Sequence, residues 1–282
     1  MADSNRAQVQ DDGQAASPKT GLLAGKRGLV LGVANNRSIA WGIARSARQH
    51  GAELAFTYQG EALRKRVEPL ARELDAAVVG HCDVTDPASI DAAFEATGRH
   101  FPDGIDFVVH CIAFSDKDEL TGRYLETSEA NFTKSLLISC YSFTAIAQRA
   151  EKLMRDGGSL LTLTYYGAEK WMPHYNVMGV AKAALEASVR YLAADLGEKN
   201  IRVNAILPGI VEGPRMTNVI KARAEQTGVS YKEMEKTYLD RVSMRRMVTA
   251  DDVAGTILFL LSHAGRHISG QSLGVDGNVE TL

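Results

Sequence analysis

Cysteine is scarce in this chain of 282 residues, and the three that occur lie far apart. Cys82, Cys111 and Cys140 show no C-x-x-C or other metal-ligand spacing. Their pattern argues against a disulfide framework and a thiolate metal centre, and it is typical of a reducing compartment. An excess of one charge is also missing, since 32 Lys and Arg oppose 34 Asp and Glu. We therefore expect no nucleic-acid partner and no attraction to an anionic membrane.

Long apolar runs are absent as well. No stretch of eighteen apolar residues occurs, and the polar residues 1–20 have no apolar core of the kind that a secretory signal needs. We expect no membrane helix, a cytoplasmic protein and a disordered tail over residues 1–20. Because no repeat and no Pro/Gly/Ser linker divides the remainder, residues 21–282 are interpreted as one domain.

The chain does contain seven short runs rich in Val, Ile and Leu, separated by longer helix-prone segments. Continuous apolar character is typical of strands buried on both faces of a parallel sheet. Alternation of strand and helix predicts right-handed βαβ units. The predicted fold class is therefore α/β, with a doubly wound, seven-stranded parallel sheet. The runs are 28–33, 52–58, 76–84, 105–114, 158–166, 201–209 and 272–277.

One segment, at about 209–246, interrupts this alternation. It is long, charged and helix-prone, and it lies between the sixth strand and a helix whose start is marked by Thr249, Asp251 and Asp252. A threonine cap followed by acids near the positive end of the helix dipole is a good helix start. We predict that the segment forms a mobile helical lid over the substrate.

The stretch LVLGVANNRSIAWGIA, residues 29–44, predicts a strand, a turn and a helix, but it lacks the three glycines of the dinucleotide fingerprint. If Ser38 caps a helix that begins near Ile39, free backbone N–H groups of the first turn can bind an anion. Gly32 would supply the tight exit from the strand. A turn that binds nothing explains this stretch equally well when it is taken alone.

Tyr175 and Lys182 lie seven residues apart in HYNVMGVAK, a helix-prone segment entered through Pro173. Seven residues at 3.6 per turn would bring both side chains to one helix face, about 10 Å apart along the axis. A phenol stays protonated at neutral pH and can stabilise an anionic oxygen. A surface tyrosine and a lysine whose stem lies along apolar surface would give the same pattern.

Together, five stretches resemble a known family, from about Lys26 to Ile206. They are similar to the NADH-dependent enoyl-[acyl-carrier-protein] reductases of bacterial fatty-acid synthesis, a divergent branch of the short-chain dehydrogenase/reductase superfamily. The resemblance implies a Rossmann-like fold, hydride transfer from NADH to a trans-2-enoyl thioester of acyl-carrier protein or CoA, and a homotetramer. The stretches are GVANNRSIAWGIA, GAELAFTYQG, CDVTDPASID, LLTLTYYGAEKWMPHYNVMGVAKAALEASVRYLA and IRVNAI.

The resemblance also implies roles for individual residues. Tyr175 would donate a hydrogen bond to the thioester oxygen, Lys182 would bind the nicotinamide ribose, and Tyr165 would shape the substrate pocket as a second active-site tyrosine. The seven-residue interval between tyrosine and lysine distinguishes this family from the carbonyl-reducing members of the superfamily, in which the tyrosine and lysine follow the pattern Y-x-x-x-K. The implied cofactor residues are Gly32, Ser38, Ile39, Gln59, Asp83, Val84, Ile112, Lys182 and Ile210, and the implied substrate residues are Ser115 and Tyr165.

Two alternatives stay open in the sequence. Gln59 stands where an acid would hold the ribose of NAD, and the resemblance favours NADH there, but the basic run 64–66 leaves NADPH possible through phosphate pairing. The family also has a threonine soon after the glycine of strand six. Here Gly209 is followed by Ile210 and the first threonine is Thr217, so a carbonyl or 3-oxoacyl-thioester reductase remains the alternative function.

Overall fold

The computed structural model describes residues 21–279, so the tail predicted over residues 1–20 lies outside the described residues. Within them, seven strands form one sheet in the order β3-β2-β1-β4-β5-β6-β7, and every neighbouring pair is parallel. The predicted α/β class and the seven-stranded parallel sheet are confirmed. The strands are β1 (Arg27–Leu31), β2 (Glu53–Tyr58), β3 (Ala77–His81), β4 (Phe107–His110), β5 (Gly158–Leu163), β6 (Ile201–Pro208) and β7 (Ser272–Val275).

Helices cover both faces of this sheet. Successive strand side chains point to opposite faces, so Val30 of β1 contacts the core on one face while Leu29 and Leu31 contact the core on the other. A π-helical segment, Leu137–Tyr141, joins two of the helices. The α-helices are α1 (Ile39–Gln49), α2 (Gly60–Glu73), α3 (Pro87–His100), α4 (Glu129–Leu136), α5 (Ser142–Leu153), α6 (Val177–Leu196), α7 (Pro214–Thr227), α8 (Tyr231–Leu239) and α9 (Ala250–Leu261).

The order of the strands reverses between β1 and β4, because β2 and β3 extend the sheet to one side of β1 and β4 to β7 extend it to the other. In open parallel sheets, ligands bind beyond the carboxyl ends of the strands at such a switch point. Several predicted strands extend past the observed ones at this edge. β4 ends at His110 and β5 ends at Leu163, so the residues that follow are free to form a site.

The segment 209–246 is helical as predicted, since it contains α7 and α8. These two helices have a small core of their own, in which Ile220, Ala224 and Met234 are buried. The two ends of the segment are held together where the N–H of Val248 donates to the carbonyl of Ile210 (2.8 Å). The predicted start of the next helix is also confirmed, because Thr249 and Asp252 form a reciprocal capping box. The mobility of the segment stays a prediction.

Candidate active site

The turn after β1 has the geometry that its sequence predicts. Ser38 is the N-cap of α1, accepts a hydrogen bond from the N–H of Trp41 (3.3 Å) and donates one to the carbonyl of Asn35 (2.8 Å). The first helical residue is Ile39, so the predicted cap and helix start are confirmed. Gly32 has a φ of +95°, and an added Cβ would lie 2.1 Å from the carbonyl oxygen of Cys111. Only glycine fits this exit from the strand.

A cleft of about 510 Å³ opens where α1, α7 and α9 begin. N–H groups in the first turn of a helix lack intrahelical partners and lie at the positive end of the dipole. Arg37 adds a full positive charge and Thr217 a hydroxyl group, against the carboxylate of Glu212. The cleft therefore fits an anion with more than one negative charge, such as the diphosphate of a dinucleotide. Its lining is Arg37, Glu212, Gly213, Pro214, Thr217, Asn218, Thr249 and Ala250.

Arg37 and Thr217 were missed as site residues from the sequence. Thr217 lies eight residues after Gly209 in sequence, but the start of α7 brings it to the same cleft as Arg37. The signal for Arg37 was its place directly before the cap residue Ser38. Ile210, which the sequence predicts to contact the cofactor, is half-buried next to this region, and its carbonyl oxygen is bonded to Val248.

The predicted adenosine contacts come together at the ends of β2 and β3. The side-chain amide of Gln59 donates to a carboxylate oxygen of Asp83 (3.2 Å). Both the hydroxyl and the backbone N–H of Thr85 donate to the other oxygen (2.7 and 2.9 Å), and these bonds lower the pKa of Asp83. Asp83 therefore stays ionised and can accept further hydrogen bonds. The side chain of Val84 is buried in the core.

Tyr165 and Tyr175 form a pair of neighbouring rings with centroids 4.9 Å apart and planes inclined by 58°. Burial raises the pKa of both phenols, and Arg215 at the start of α7 opposes the shift in both. Both hydroxyl groups therefore remain protonated at neutral pH and can donate a hydrogen bond. Arg215 is a further residue near this pair that the sequence did not indicate.

The prediction that Tyr175 and Lys182 share one face of a helix is wrong. Helix α6 begins only at Val177, and the turn before it contains two residues with positive φ, His174 (+58°) and Asn176 (+36°). A right-handed helix cannot contain such residues. The side-chain amide of Asn176 donates to the carbonyl of Glu119 (3.0 Å), so a contact distant in sequence holds the turn.

Glycine positions the ring of Tyr175 instead. An added Cβ at Gly167 would lie 2.5 Å from Cδ1 of Tyr175, and one at Gly179 would lie 2.7 Å from the carbonyl of Gly167. One side of the ring therefore lies against the backbone of Gly167 and Gly179, where no side chain is present. Gly179 occupies the position at which the carbonyl-reducing pattern Y-x-x-x-K has its lysine, so the absence of a side chain there has a packing reason.

Lys182 is buried, with 5% of its surface exposed. Its ammonium group donates to the carbonyl of Leu163 at the end of β5 (2.7 Å). Burial lowers its pKa to about 8, so the group is mostly charged at pH 7. An ammonium group has three N–H donors, and the bond to Leu163 uses one, which leaves two for a ligand.

The end of β4 supplies a neutral wall beside Lys182. The ring nitrogens of His110 lie 2.9 Å from the hydroxyls of Thr162 and Ser142, and burial lowers the pKa of His110 to about 3. Burial raises the pKa of Cys111 to about 12, so its thiol is uncharged and unreactive at neutral pH. Ile112 follows, half-buried against the core.

Ser115, a predicted substrate residue, is buried and bonded inward. Its hydroxyl donates to the side chain of Asn131 (3.2 Å) and accepts from the hydroxyl of Ser135 (2.9 Å). Both bonds hold the loop after β4 to α4, and the contact of this side chain with a substrate stays a prediction. The preceding residue, Phe114, is exposed and is the larger contact surface that the loop offers.

We expect Gly167→Ala to lower the kcat of the purified protein about tenfold, because the new methyl group must displace the ring of Tyr175 by a fraction of an ångström. Steady-state kinetics measure kcat, and circular dichroism checks that the fold persists. Gly197→Ala is the matched control, since its Cβ would meet nothing within 4 Å. Equal activity of the two variants would contradict the proposed support of the ring.

Residues 21–279 also bear on metal binding and on membrane spanning. No group of three or more His, Cys, Asp or Glu side chains in that range lies close enough to hold a metal ion. None of the helices described there combines the length and apolar character that spanning a membrane requires. The thiols of the three cysteines are free.

Comparison with known proteins gives one consistent family. A family model described as enoyl-(acyl carrier protein) reductase matches residues 32–279. An NADH enoyl-[acyl-carrier-protein] reductase of Rhizobium meliloti is 56% identical over 263 residues, which are 93% of each chain. An NADH enoyl-[acyl-carrier-protein] reductase of Bacillus subtilis is 46% identical over 90% of this chain and 95% of its own.

Solved structures agree with these relatives. The enoyl-(acyl-carrier-protein) reductase of Anaplasma phagocytophilum, determined in complex with NAD, has a TM-score of 0.83 at 48% identity and covers 94% of this chain and 96% of its own. The Bacillus cereus enoyl-acyl carrier protein reductase, determined with NADP⁺ and indole naphthyridinone, has a TM-score of 0.83 at 43% identity and covers 93% of this chain and 99% of its own. Both similarities extend over the sheet, the helices and the site described above.

Proposed function

The chain belongs to the enoyl-(acyl carrier protein) reductase family, and from that premise we propose that Tyr175, Tyr165 and Lys182 carry out the NADH-dependent reduction of trans-2-enoyl thioesters. The family makes the protein an oxidoreductase of fatty-acid biosynthesis with NADH as its cofactor. The observation that carries the assignment of residues is the Tyr165–Tyr175 pair, two protonated phenols whose ring centroids lie 4.9 Å apart.

The residues at the carboxyl edge of the sheet fit a dinucleotide. We assign the diphosphate to the cleft between α1, α7 and α9, with Ser38, Ile39, Arg37 and Thr217. Asp83 would accept a hydrogen bond from the adenosine, and Gln59 would donate one to it. Lys182 would donate a hydrogen bond to the nicotinamide ribose. The chemistry that bound NADH would supply here is a hydride for Cβ of the substrate, and protonation at Cα would complete the reduction. The remaining predicted contacts, Gly32, Val84, Ile112 and Ile210, would line the same edge.

The side chains of this chain provide the electrostatic part of the reaction. Negative charge develops on the thioester oxygen as the double bond is reduced, and Tyr175 donates a hydrogen bond to that oxygen because its phenol is neutral and fixed by Gly167. Lys182 adds positive potential from its buried ammonium group. Tyr165 packs beside Tyr175 and shields the developing charge from water, which strengthens both interactions.

Binding of the substrate and assembly follow from the family as further proposals. We propose a thioester of acyl-carrier protein or CoA as the substrate, a cytoplasmic location, and a homotetramer formed through residues 135–150 and 176–195. Two large aromatic side chains support the assembly, since Tyr141 is 52% exposed and Tyr191 is 75% exposed on these segments. Exposed aromatic residues are enriched at interfaces between proteins.

Paired substrates test the reaction. We expect the purified protein to oxidise NADH with crotonyl thioesters at a rate at least tenfold above that with acetoacetyl thioesters. The reason is that the tyrosine pair is proposed to contact the thioester oxygen, which is separated by two carbon atoms from the carbon that receives the hydride. NADH absorbance at fixed concentration of each thioester measures both rates. A preference for the 3-oxo substrate would instead support a carbonyl-reducing enzyme and would reject the assignment.

A further inference from the structure

Three charged residues follow one another at intervals of four along α6, namely Lys182, Glu186 and Arg190. Residues four apart lie on one face of a helix. Lys182 and Glu186 are buried, with 5% and 8% of their surface exposed, whereas Arg190 is exposed. The face therefore carries alternating charges from the interior to the surface.

Lys182 and Glu186 bind to consecutive residues at the end of β5. The ammonium group of Lys182 donates to the carbonyl of Leu163 (2.7 Å), and a carboxylate oxygen of Glu186 accepts from the hydroxyl of Thr164 (2.6 Å). The buried carboxyl group of Glu186 thus has a fixed orientation. Burial raises the pKa of Glu186, and the bond from Thr164 opposes that rise.

The carboxylate of Glu186 is a negative charge that favours the ammonium form of Lys182. The other titratable groups that face Lys182 are His110, Cys111 and Cys140. The pKa of His110 is about 3 and that of Cys111 is about 12, so the imidazole and the thiol are uncharged at pH 7.

Three charged side chains act on the carboxyl group of Glu186. Glu169 opposes its ionisation, while the charges of Arg190 and Lys182 favour it. Glu169 lies after β5 and Arg190 lies one turn further along α6, and both are exposed, so solvent screens them more than it screens the buried Lys182. Lys182 is therefore the buried cation, and Arg190 the exposed one, that favours the carboxylate form of Glu186.

We propose that Glu186, oriented by Thr164, is a positioning residue that keeps Lys182 charged and aimed from the end of β5 toward the cofactor. The proposal rests on the proposed role of Lys182 in binding the nicotinamide ribose. Without an anion nearby, the ammonium group would lose its proton at a lower pH, because burial already disfavours its charge. A neutral amine has two donors and a lone pair, and it adds no positive potential.

The decisive variant is Glu186→Gln, which keeps the size of the side chain and a group that can bond to Thr164. We expect the titration midpoint of Lys182 to fall by about one unit from its value near 8, because the variant removes a negative charge that favours the ammonium form. Competitive amine labelling of Lys182 with acetic anhydride, read by mass spectrometry across pH without cofactor, measures this midpoint.

Binding of NADH to the whole protein gives the second measurement. Affinity that depends on the ammonium form is complete at low pH and is lost as the pH rises through the midpoint of Lys182. NADH fluorescence titrations should therefore show equal affinity of Glu186→Gln and wild type at pH 6, and affinity weaker by up to about tenfold in the variant at pH 8.5. Thr164→Val, which frees the carboxylate, should shift the midpoint in the same direction by less.

Two controls separate charge from packing. Glu169→Gln removes an exposed carboxylate of the same neighbourhood and should leave the titration midpoint of Lys182 unchanged. Glu186→Asp keeps a carboxylate, so its midpoint for Lys182 should lie close to that of the wild type. An unchanged midpoint in folded Glu186→Gln would overturn the proposal. A shifted midpoint with no change in NADH affinity at any pH would instead reject the role of Lys182 in cofactor binding, which belongs to the proposed function.

Discussion

Replacing Tyr175 with phenylalanine is expected to lower kcat for enoyl-thioester reduction by about 10²–10³-fold, the range seen when one preorganised donor to a developing oxyanion is removed. The ring of the variant keeps its contacts with Tyr165 and the glycine surface around Gly167, so the fold and the binding of NADH should persist. Stopped-flow or steady-state kinetics measure kcat, and fluorescence titration measures the affinity for NADH.

Tyr166→Phe is the matched control for this variant. Tyr166 is adjacent to Tyr165 in sequence, but its hydroxyl accepts a hydrogen bond from Lys170 (3.0 Å), and it begins a short 3₁₀ turn after β5. Its loss should change kcat by less than about threefold, since a single exposed hydrogen bond contributes little. Equal losses of NADH affinity and kcat in Tyr175→Phe would show that the phenol supports the structure and does not act on the substrate.

Gly32→Ala is expected to lower the free energy of unfolding by about 3–5 kcal/mol. Two costs add at this residue. The backbone has a φ of +95°, which an L side chain rarely adopts, and the added Cβ would lie 2.1 Å from the carbonyl oxygen of Cys111. Strained backbone costs about 1–3 kcal/mol, and overpacking a rigid site costs a similar amount. Urea denaturation followed by circular dichroism measures the change.

Gly255→Ala provides the comparison for Gly32→Ala. Gly255 lies within α9, and a Cβ there would meet nothing within 4 Å, so alanine should stabilise the protein by about 0.5–1 kcal/mol. The two substitutions add the same methyl group with opposite expected signs. A change of less than 1 kcal/mol in Gly32→Ala would contradict the close approach of β1 to the loop after β4, and with it the described shape of the cofactor turn.

The start of α1 and the start of α9 were predicted from a few adjacent letters. Ser38 caps α1, and Thr249 with Asp252 caps α9, because a cap is formed between residues two or three apart in the chain. Strand recognition succeeded for a related reason, since continuous apolar runs are required wherever helices cover both faces of a sheet. Strand ends were predicted less well, as β5 stops before Tyr165 although apolar character continues.

The site was predicted as a list of residues but not as a geometry. The resemblance to a family indicated Gln59 and Asp83 separately, and only the pairing of β2 with β3 brings their side chains within 3.2 Å. Thr217 was set aside because it comes late in sequence, yet α7 places it in the cleft that Arg37 lines. The roles of the predicted residues stay predictions that the variants above test.

The sequence by itself determined the order of the elements, the parallel sheet and the two helix caps, because these depend on periodicity and on contacts within a few residues. The tertiary structure alone decided where Tyr175 lies and which anion accompanies Lys182. His174 and Asn176 have positive φ values, so the residues before Val177 are not helical. The hydrogen bond from the side chain of Asn176 to the carbonyl of Glu119 stabilises this turn. Partners distant in the chain can override local helical preference, because the free energy of one such bond and of ring burial exceeds the small propensity of a few residues.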